Sequence, residues 1–220
     1  MKKKLVIFGT DIMGKLMHYY FSRDSEYEVV AFTVDEKYKN KDTYLELPLI
    51  SFEKIEEFYS QNEFSLFIAI GPSKMNTNRE AKFIEAKNKG YRCASYISPR
   101  AICNSEIGEN NFIGDMAVIN PFVIIGNNNL IWEHCIISAD SIIENNCYLS
   151  PNSSVGTFST IKNNSIVGAG SVVKTSIVVA EKTLIGAASF ISSNTKPFGV
   201  YGEKNSILYG CISEKKNIAL

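Results

Sequence analysis

From residue 107 onward the chain places an aliphatic residue at every sixth position. The register runs Ile107, Ile113, Ile119, Ile125, Ile131, Ile137, Ile143, Leu149, Val155, Ile161, Val167, Val173, Val179, Ile185 and Ile191, fifteen hexapeptides without a break. Gly follows the aliphatic at 108, 114, 126, 156, 168 and 186, and the fifth position is mostly small or polar, as at Ala117, Ser141, Ser153, Ser159, Ser165 and Ser171. A period of six matches neither the 3.6 of a helix nor the 2 of a flat strand. It matches a chain that turns a corner every six residues, with one aliphatic per side pointing inward and Gly or Asn relieving strain at the corners. Three sides close a triangular coil, so the pattern predicts five coils of parallel β-helix.

Residues 1–95 follow another rhythm. Leu5–Phe8 is an apolar run ending in Gly9–Gly14, followed by a helical stretch from Lys15 to Phe21. Val29–Val34 reads as a second strand ending at Asp35, and Phe52–Tyr59 reads as helical. Leu66–Ile70 is a third strand ending at Gly71, and Asn76–Lys89 is a helix stopped by Gly90. Strand alternating with helix predicts a small Rossmann-like α/β sheet with right-handed crossovers, whose ligands bind at the carboxyl ends of the strands. The expected organisation is therefore a Rossmann-like domain over 1–95, a β-helix over 96–196 and a tail over 197–220.

The sixth positions of the hexads flank inward residues and so face outward. They read Phe112, Val118, Ile124, Leu130, Ile136, Ile142 and Tyr148, then Ile166, Val172, Val178, Leu184 and Phe190. That much apolar surface on a monomer calls for cover. Copies of the same chain are the economical cover, and threefold closure suits a triangular prism, so a homotrimer is expected.

Composition narrows the function classes. Basic and acidic residues balance at 23 each, which implies neither nucleic acid nor an anionic membrane as partner. No apolar run approaches the roughly 20 residues of a membrane span. The five cysteines lack metal-ligand spacing, and Cys135 and Cys147 fall on the small fifth position, where packing explains them. Reduced thiols in a cytoplasmic protein without a metal are expected. The Gly9–Gly14 loop invites a dinucleotide reading, with Asp35 lying 21 residues after Gly14. However, Asp11 stands where the middle glycine of that fingerprint belongs. An anionic side chain there argues against a pyrophosphate of NAD and leaves a merely structural turn, or another nucleotide-linked ligand. Thr10, Asp11, Ile12, Asp35, Gly71 and Asn76 are the candidate acceptor-binding residues, and Asn76 with Arg79 at a helix start suits phosphates.

Beside the hexads stand Phe32-Thr-Val-Asp-Glu, Ala69-Ile-Gly with Met75-Asn76, Tyr96-Ile-Ser, and Pro197-Phe-Gly-Val-Tyr-Gly. With these the chain resembles bacterial sugar acyltransferases of the sialic acid O-acetyltransferase and bacillosamine N-acetyltransferase type. The resemblance implies a left-handed β-helix, a trimer binding acetyl-CoA between neighbouring β-helices, and a front domain holding a nucleotide-activated sugar. It implies a histidine base at the third position of one hexad, an acidic residue after it, and a ring nine residues on. Those positions carry Ala139, Asp140 and Tyr148; the expected histidine is missing. The β-helix has one histidine, His134, five residues early and one corner away. Asp140 and His134 are therefore the candidate catalytic groups. Tyr148, Ala169 and Ala187 are the positions that would meet the donor. An amine needs less help than a hydroxyl in attacking a thioester, because it is partly unprotonated near neutral pH. The expected activity is N-acetylation of a UDP- or dTDP-linked amino sugar in surface glycan synthesis. O-acetylation and non-catalytic sugar-nucleotide binding stand as alternatives.

Overall fold

A computed structural model describes residues 2–202; Met1 and 203–220, including Cys211 and most of the expected tail, lie outside the described residues. The front domain is a sheet with β1 (Lys3–Phe8) at its centre. β1 pairs in parallel with β2 (Tyr27–Val34) on one side and with β5 (Phe64–Ile68) on the other. β4 (Leu47–Ser51) extends the sheet parallel to β2, and β3 (Thr43–Tyr44) pairs antiparallel with β4, giving the order β3-β4-β2-β1-β5. The hairpin of β3 and β4 was not legible. It turns at Leu45 and Glu46, both with positive φ, without the Asn or Gly that such a turn ordinarily carries.

Alternate residues of β1 feed two cores, as the pleat requires. Leu5 and Ile7 pack with Met13 and Met17 of α1 (Ile12–Asp24). Val6 and Phe8 pack with Ile55 of α2 (Ile55–Phe58) and Ala86 of α3 (Thr77–Asn88). The glycines at both ends of the first turn are required by close backbone approach. A Cβ on Gly14 would lie 2.1 Å from the Gly9 carbonyl oxygen, and one on Gly9 would lie 2.7 Å from that of Ala69.

The hexads form the predicted triangular β-helix, with each coil pairing in parallel with the residues 18 on, as in Ile124↔Ile142↔Thr160. Every inward aliphatic from Ile113 to Ile191 is buried. Each contributes on the order of 1.5–3 kcal/mol of apolar burial. The fifth-position serines stitch the coils. Ser159 Oγ donates to the Lys174 carbonyl at 2.9 Å and accepts from the Ile177 N–H at 3.1 Å, 15 and 18 residues further on. Cys135 and Cys147 fill the same buried position, where burial pushes their thiols up to about 11 and about 12.

Asparagine does hold several of the strained corners, but the second-position glycines do not. The left-handed residue is the fourth of each hexad, with φ between 53° and 66° from Asn110 to Ala188, and Gly170 is its one glycine. The glycines at the second position answer another need: a Cβ on Gly168 would meet the Ala187 nitrogen at 2.5 Å. They let successive coils stack closely. The β-helix also continues into the segment assigned to the tail, since Val200–Tyr201 pairs with Leu184–Ile185.

The front domain lies against one face of the prism. Phe112, Leu130 and Trp132 are buried among Tyr20, Phe21 and Tyr96, so these outward residues are covered within the chain and not by a copy of it. Tyr20 Oη donates to Glu133 at 2.7 Å, and Arg23 pairs with Asp115 at 3.1 Å.

The adjoining edge carries ladders of asparagine. Asn110 Nδ2 donates to Asn128 Oδ1 and Asn128 Nδ2 to Asn146 Oδ1, each at 2.7 Å. The ladder begins at the sheet, where the Ile68 N–H donates to Asn110 Oδ1 at 2.8 Å. It ends at α3, where Asn146 and Asn164 donate to the two carboxylate oxygens of Glu80. Asn tolerates the left-handed corner and its amide spans one coil spacing, so both needs select it.

Candidate active site

At the carboxyl ends of β1, β2 and β5 a cleft of about 690 Å³ opens, with α3 along one side. Thr10, Asp11 and Asp35 line it, together with Lys37, Tyr38, Lys74 and Lys82, which the sequence did not single out. Ile12 is exposed beside the cleft, Gly71 is half-buried, and Asn76 is completely buried with both amide atoms unpartnered; none of the three is in the lining.

Charge in the cleft is largely paired. Asp11 caps α1, its carboxylate accepting from the Met13 N–H at 2.9 Å and the Gly14 N–H at 3.4 Å. That helix end already holds an anion of its own, which is the physical content of the absent middle glycine. Asp35 accepts from Lys82 Nζ at 2.6 Å, and Lys82 also bonds Glu85 and lies 5.0 Å over the Phe8 ring. Burial alone would lower the Lys82 pKa; its bonds to the two carboxylates outweigh that and raise it.

Arg79 does not serve phosphates. It is fully buried and donates to the carbonyls of Ile70, Asn128 and Cys147 at 3.2–3.3 Å, riveting α3 to the asparagine edge. Burial pushes its guanidinium down to about 10, so it stays charged at neutral pH. The signal for this role was the 18-residue recurrence of Asn at 110, 128, 146 and 164.

In the β-helix the candidate residues occupy different parts of the prism. His134 and Asp140 are both fourth-position corner residues, φ 58° and 56°, and both are exposed. Ala169 and Ala187 stack one coil apart on the edge that carries His134, with the Ala188 N–H donating to the Ala169 carbonyl at 2.8 Å. Asp140 stands on the next edge, beside half-buried Ala139. Tyr148 lies on the third side, 6.0 Å from the Trp132 ring at the margin of the front-domain contact, where burial raises its pKa. One chain alone does not bring Asp140 to Tyr148. Among the described residues no cluster of His, Cys, Asp and Glu is placed to hold a metal, and no helix is long and apolar enough to cross a membrane.

Fold and cleft together define a two-domain hexapeptide-repeat protein, an α/β front domain docked on a left-handed parallel β-helix. Residues 104–139 and 140–175 match the model of the bacterial transferase hexapeptide family (six repeats). Comparison with curated protein sequences finds no match. Among solved structures, the acetyltransferase domain of PglB from Neisseria gonorrhoeae is similar at a TM-score of 0.81 and 19% identity, covering 92% of this chain and 97% of that one. A histidine-to-asparagine variant of perosamine N-acetyltransferase from Caulobacter crescentus, in complex with CoA and GDP-perosamine, gives 0.80 and 19%, covering 94% and 97%. WeeI from Acinetobacter baumannii gives 0.71 and 14%, covering 91% and 94%. At these identities the likeness establishes a shared fold, front domain included.

Proposed function

We propose that the chain is an acetyl-CoA-dependent N-acetyltransferase acting on a nucleotide-linked amino sugar, working as a homotrimer. The observation that carries this reading is the joining of a strand-end cleft to a hexapeptide β-helix in one body. The similar structures include the PglB domain with acetyl coenzyme A and a perosamine enzyme with CoA and GDP-perosamine. A guanosine-linked acceptor therefore joins the UDP and dTDP sugars expected from the sequence.

In this reading the nucleotide lies along the cleft of Thr10, Asp11 and Asp35, and the sugar amine reaches the β-helix edge of a neighbouring copy near Ala139. The thioester lies along the Ala169 and Ala187 edge, where exposed small side chains leave the backbone open to a pantetheine arm. The amine, once neutral, attacks the acetyl carbonyl carbon. The N–C bond forms, the C–S bond breaks, the amine's proton leaves through Asp140 or water, and the sulfur departs to become the free CoA thiol. With Ala139 where the resemblance places a histidine, catalysis rests on positioning and on oxyanion stabilisation by backbone N–H groups.

The test is release of CoA thiol from acetyl-CoA with UDP-, dTDP- and GDP-linked 3-amino and 4-amino sugars and their hydroxyl counterparts. Release with an amino sugar but not its hydroxyl partner is expected. Silence across the panel from folded, donor-binding protein rejects the reading. O-acetylation has one observation in its favour, since His134 shares the edge of Ala169 and Ala187. Full hydroxyl-dependent transfer by a His134→Ala protein would remove the role for His134.

A further inference from the structure

The edge that carries Asp140 departs from the other corners in a way that bears on the acceptor. Its fourth-position column reads Phe122, Asp140, Phe158 and Ser176, one residue per coil and 18 apart. Phe122 and Phe158 hold φ of 65° and 59°, the left-handed conformation that every fourth-position corner from Asn110 to Ala188 takes and that a bulky L-residue adopts at a cost of about 1 kcal/mol. Neither phenyl group recovers that cost by burial, for they are 77% and 63% exposed. What sets this column apart is two large apolar side chains held open on either side of a carboxylate, a surface that calls for a ligand or a partner to cover it. The Phe158 N–H donates to the Ala139 carbonyl at 3.3 Å, so the second ring rises from the coil directly next to Ala139 and Asp140.

Coils stack about 4.8 Å apart, which places one ring a single coil below the carboxylate and the other a single coil above. A carboxylate between two exposed phenyl groups is complementary to a small organic cation. The carboxylate takes the ammonium as a charge-assisted hydrogen bond, and the rings add cation–π attraction and exclude water. A neutral hydroxyl gains little from either. We propose that Phe122, Asp140 and Phe158 form a cage for the ammonium group of the acceptor sugar, making this edge the element that selects amines over hydroxyls. The inference rests on the acetyltransferase reading and deepens it. Ala139 belongs to the same arrangement: a side chain no larger than methyl leaves the space beside Asp140 in which the amine sits. The caged ammonium passes one proton to Asp140 and on to water, and the neutral amine is then already aligned for attack.

The test is calorimetric binding of amino-sugar nucleotides and their hydroxyl counterparts from the same panel to wild type, Asp140→Asn, Phe122→Asn and Phe158→Asn. Asparagine holds the same left-handed corner at 110, 128, 146, 152 and 164, so the Phe variants keep the corner geometry. Wild type should bind one amino sugar at least tenfold more tightly than its hydroxyl partner. Each variant should lose most of that preference while binding of the hydroxyl partner stays within twofold. Equal wild-type affinity for amine and hydroxyl, or a preference that survives all three substitutions, overturns the cage. Variants that alter oligomeric state and weaken both ligands alike also overturn it, and assign the rings to a contact between copies. CoA release is scored separately. Thiol release without amine preference rejects the cage and keeps the enzyme; amine preference without thiol release does the reverse.

Discussion

Replacing Asn128 tests the asparagine edge where its consequences are largest. The side chain is completely buried, accepts from Asn110 and donates to Asn146 at 2.7 Å each, and sits at φ 60°. Asn128→Ala removes two hydrogen bonds worth about 1 kcal/mol each and strands the side-chain oxygen Oδ1 of Asn146. It also leaves an L-residue without a polar side chain in the left-handed region, at about 1 kcal/mol. The expected loss is about 3–4 kcal/mol. Asn128→Gly suffers the same hydrogen-bond losses but not the backbone strain, so it should be the more stable variant by about 1 kcal/mol, less the extra freedom of its unfolded chain. Urea denaturation midpoints give the ranking wild type, Gly, Ala. Hydrogen exchange supplies a local readout: the Ile68 amide, which donates to Asn110, should lose protection before the far coils do. An Ala variant as stable as the Gly variant, or both within about 0.5 kcal/mol of wild type, would refute the reasoning.

Three further outcomes are expected. Arg79→Ala should cost about 3 kcal/mol, because three buried carbonyls lose a charge-assisted donor, and Arg79→Lys should recover part of it; denaturation midpoints decide. Burial raises the Asp115 carboxyl, but hydrogen bonds from Arg100, Ser98 and Arg23 outweigh it and hold its pKa at about 2, below the ordinary 3.8. Its stabilisation, about 1 kcal/mol after allowance for solvent screening, is thus full above about pH 4 and lost as pH falls towards about 2. Asp115→Asn should flatten that part of the acid-unfolding curve, and an unchanged curve would count against the cluster. Ala139→His, which restores the imidazole that the resemblance leads one to expect, should raise CoA release with hydroxyl acceptors by tenfold or more over wild type. No gain, with the fold retained, would count against the assigned base position.

Fifteen aliphatic residues at a six-residue interval determine the β-helix by themselves, because only an inward residue once per side satisfies that period. The same holds for the strand ends of the front domain, since an apolar run closed by glycine marks where a parallel strand meets its turn. Thr10, Asp11 and Asp35 were legible for that reason. The partners these residues chose were not. Asp11 caps its own helix, Asp35 is neutralised by Lys82 from a helix 47 residues away, and Arg79 faces carbonyls of the β-helix rather than solvent. A local pattern says where a side chain stands along its element. Which charge meets it depends on how two domains pack, and that is a matter of long-range geometry. Likewise the sixth-position residues all read as outward surface, yet docking of the front domain buries Phe112 and Leu130 while Ile124 and Phe190 stay open. The hexad fixes which way each side chain points; the tertiary structure alone decides what lies opposite.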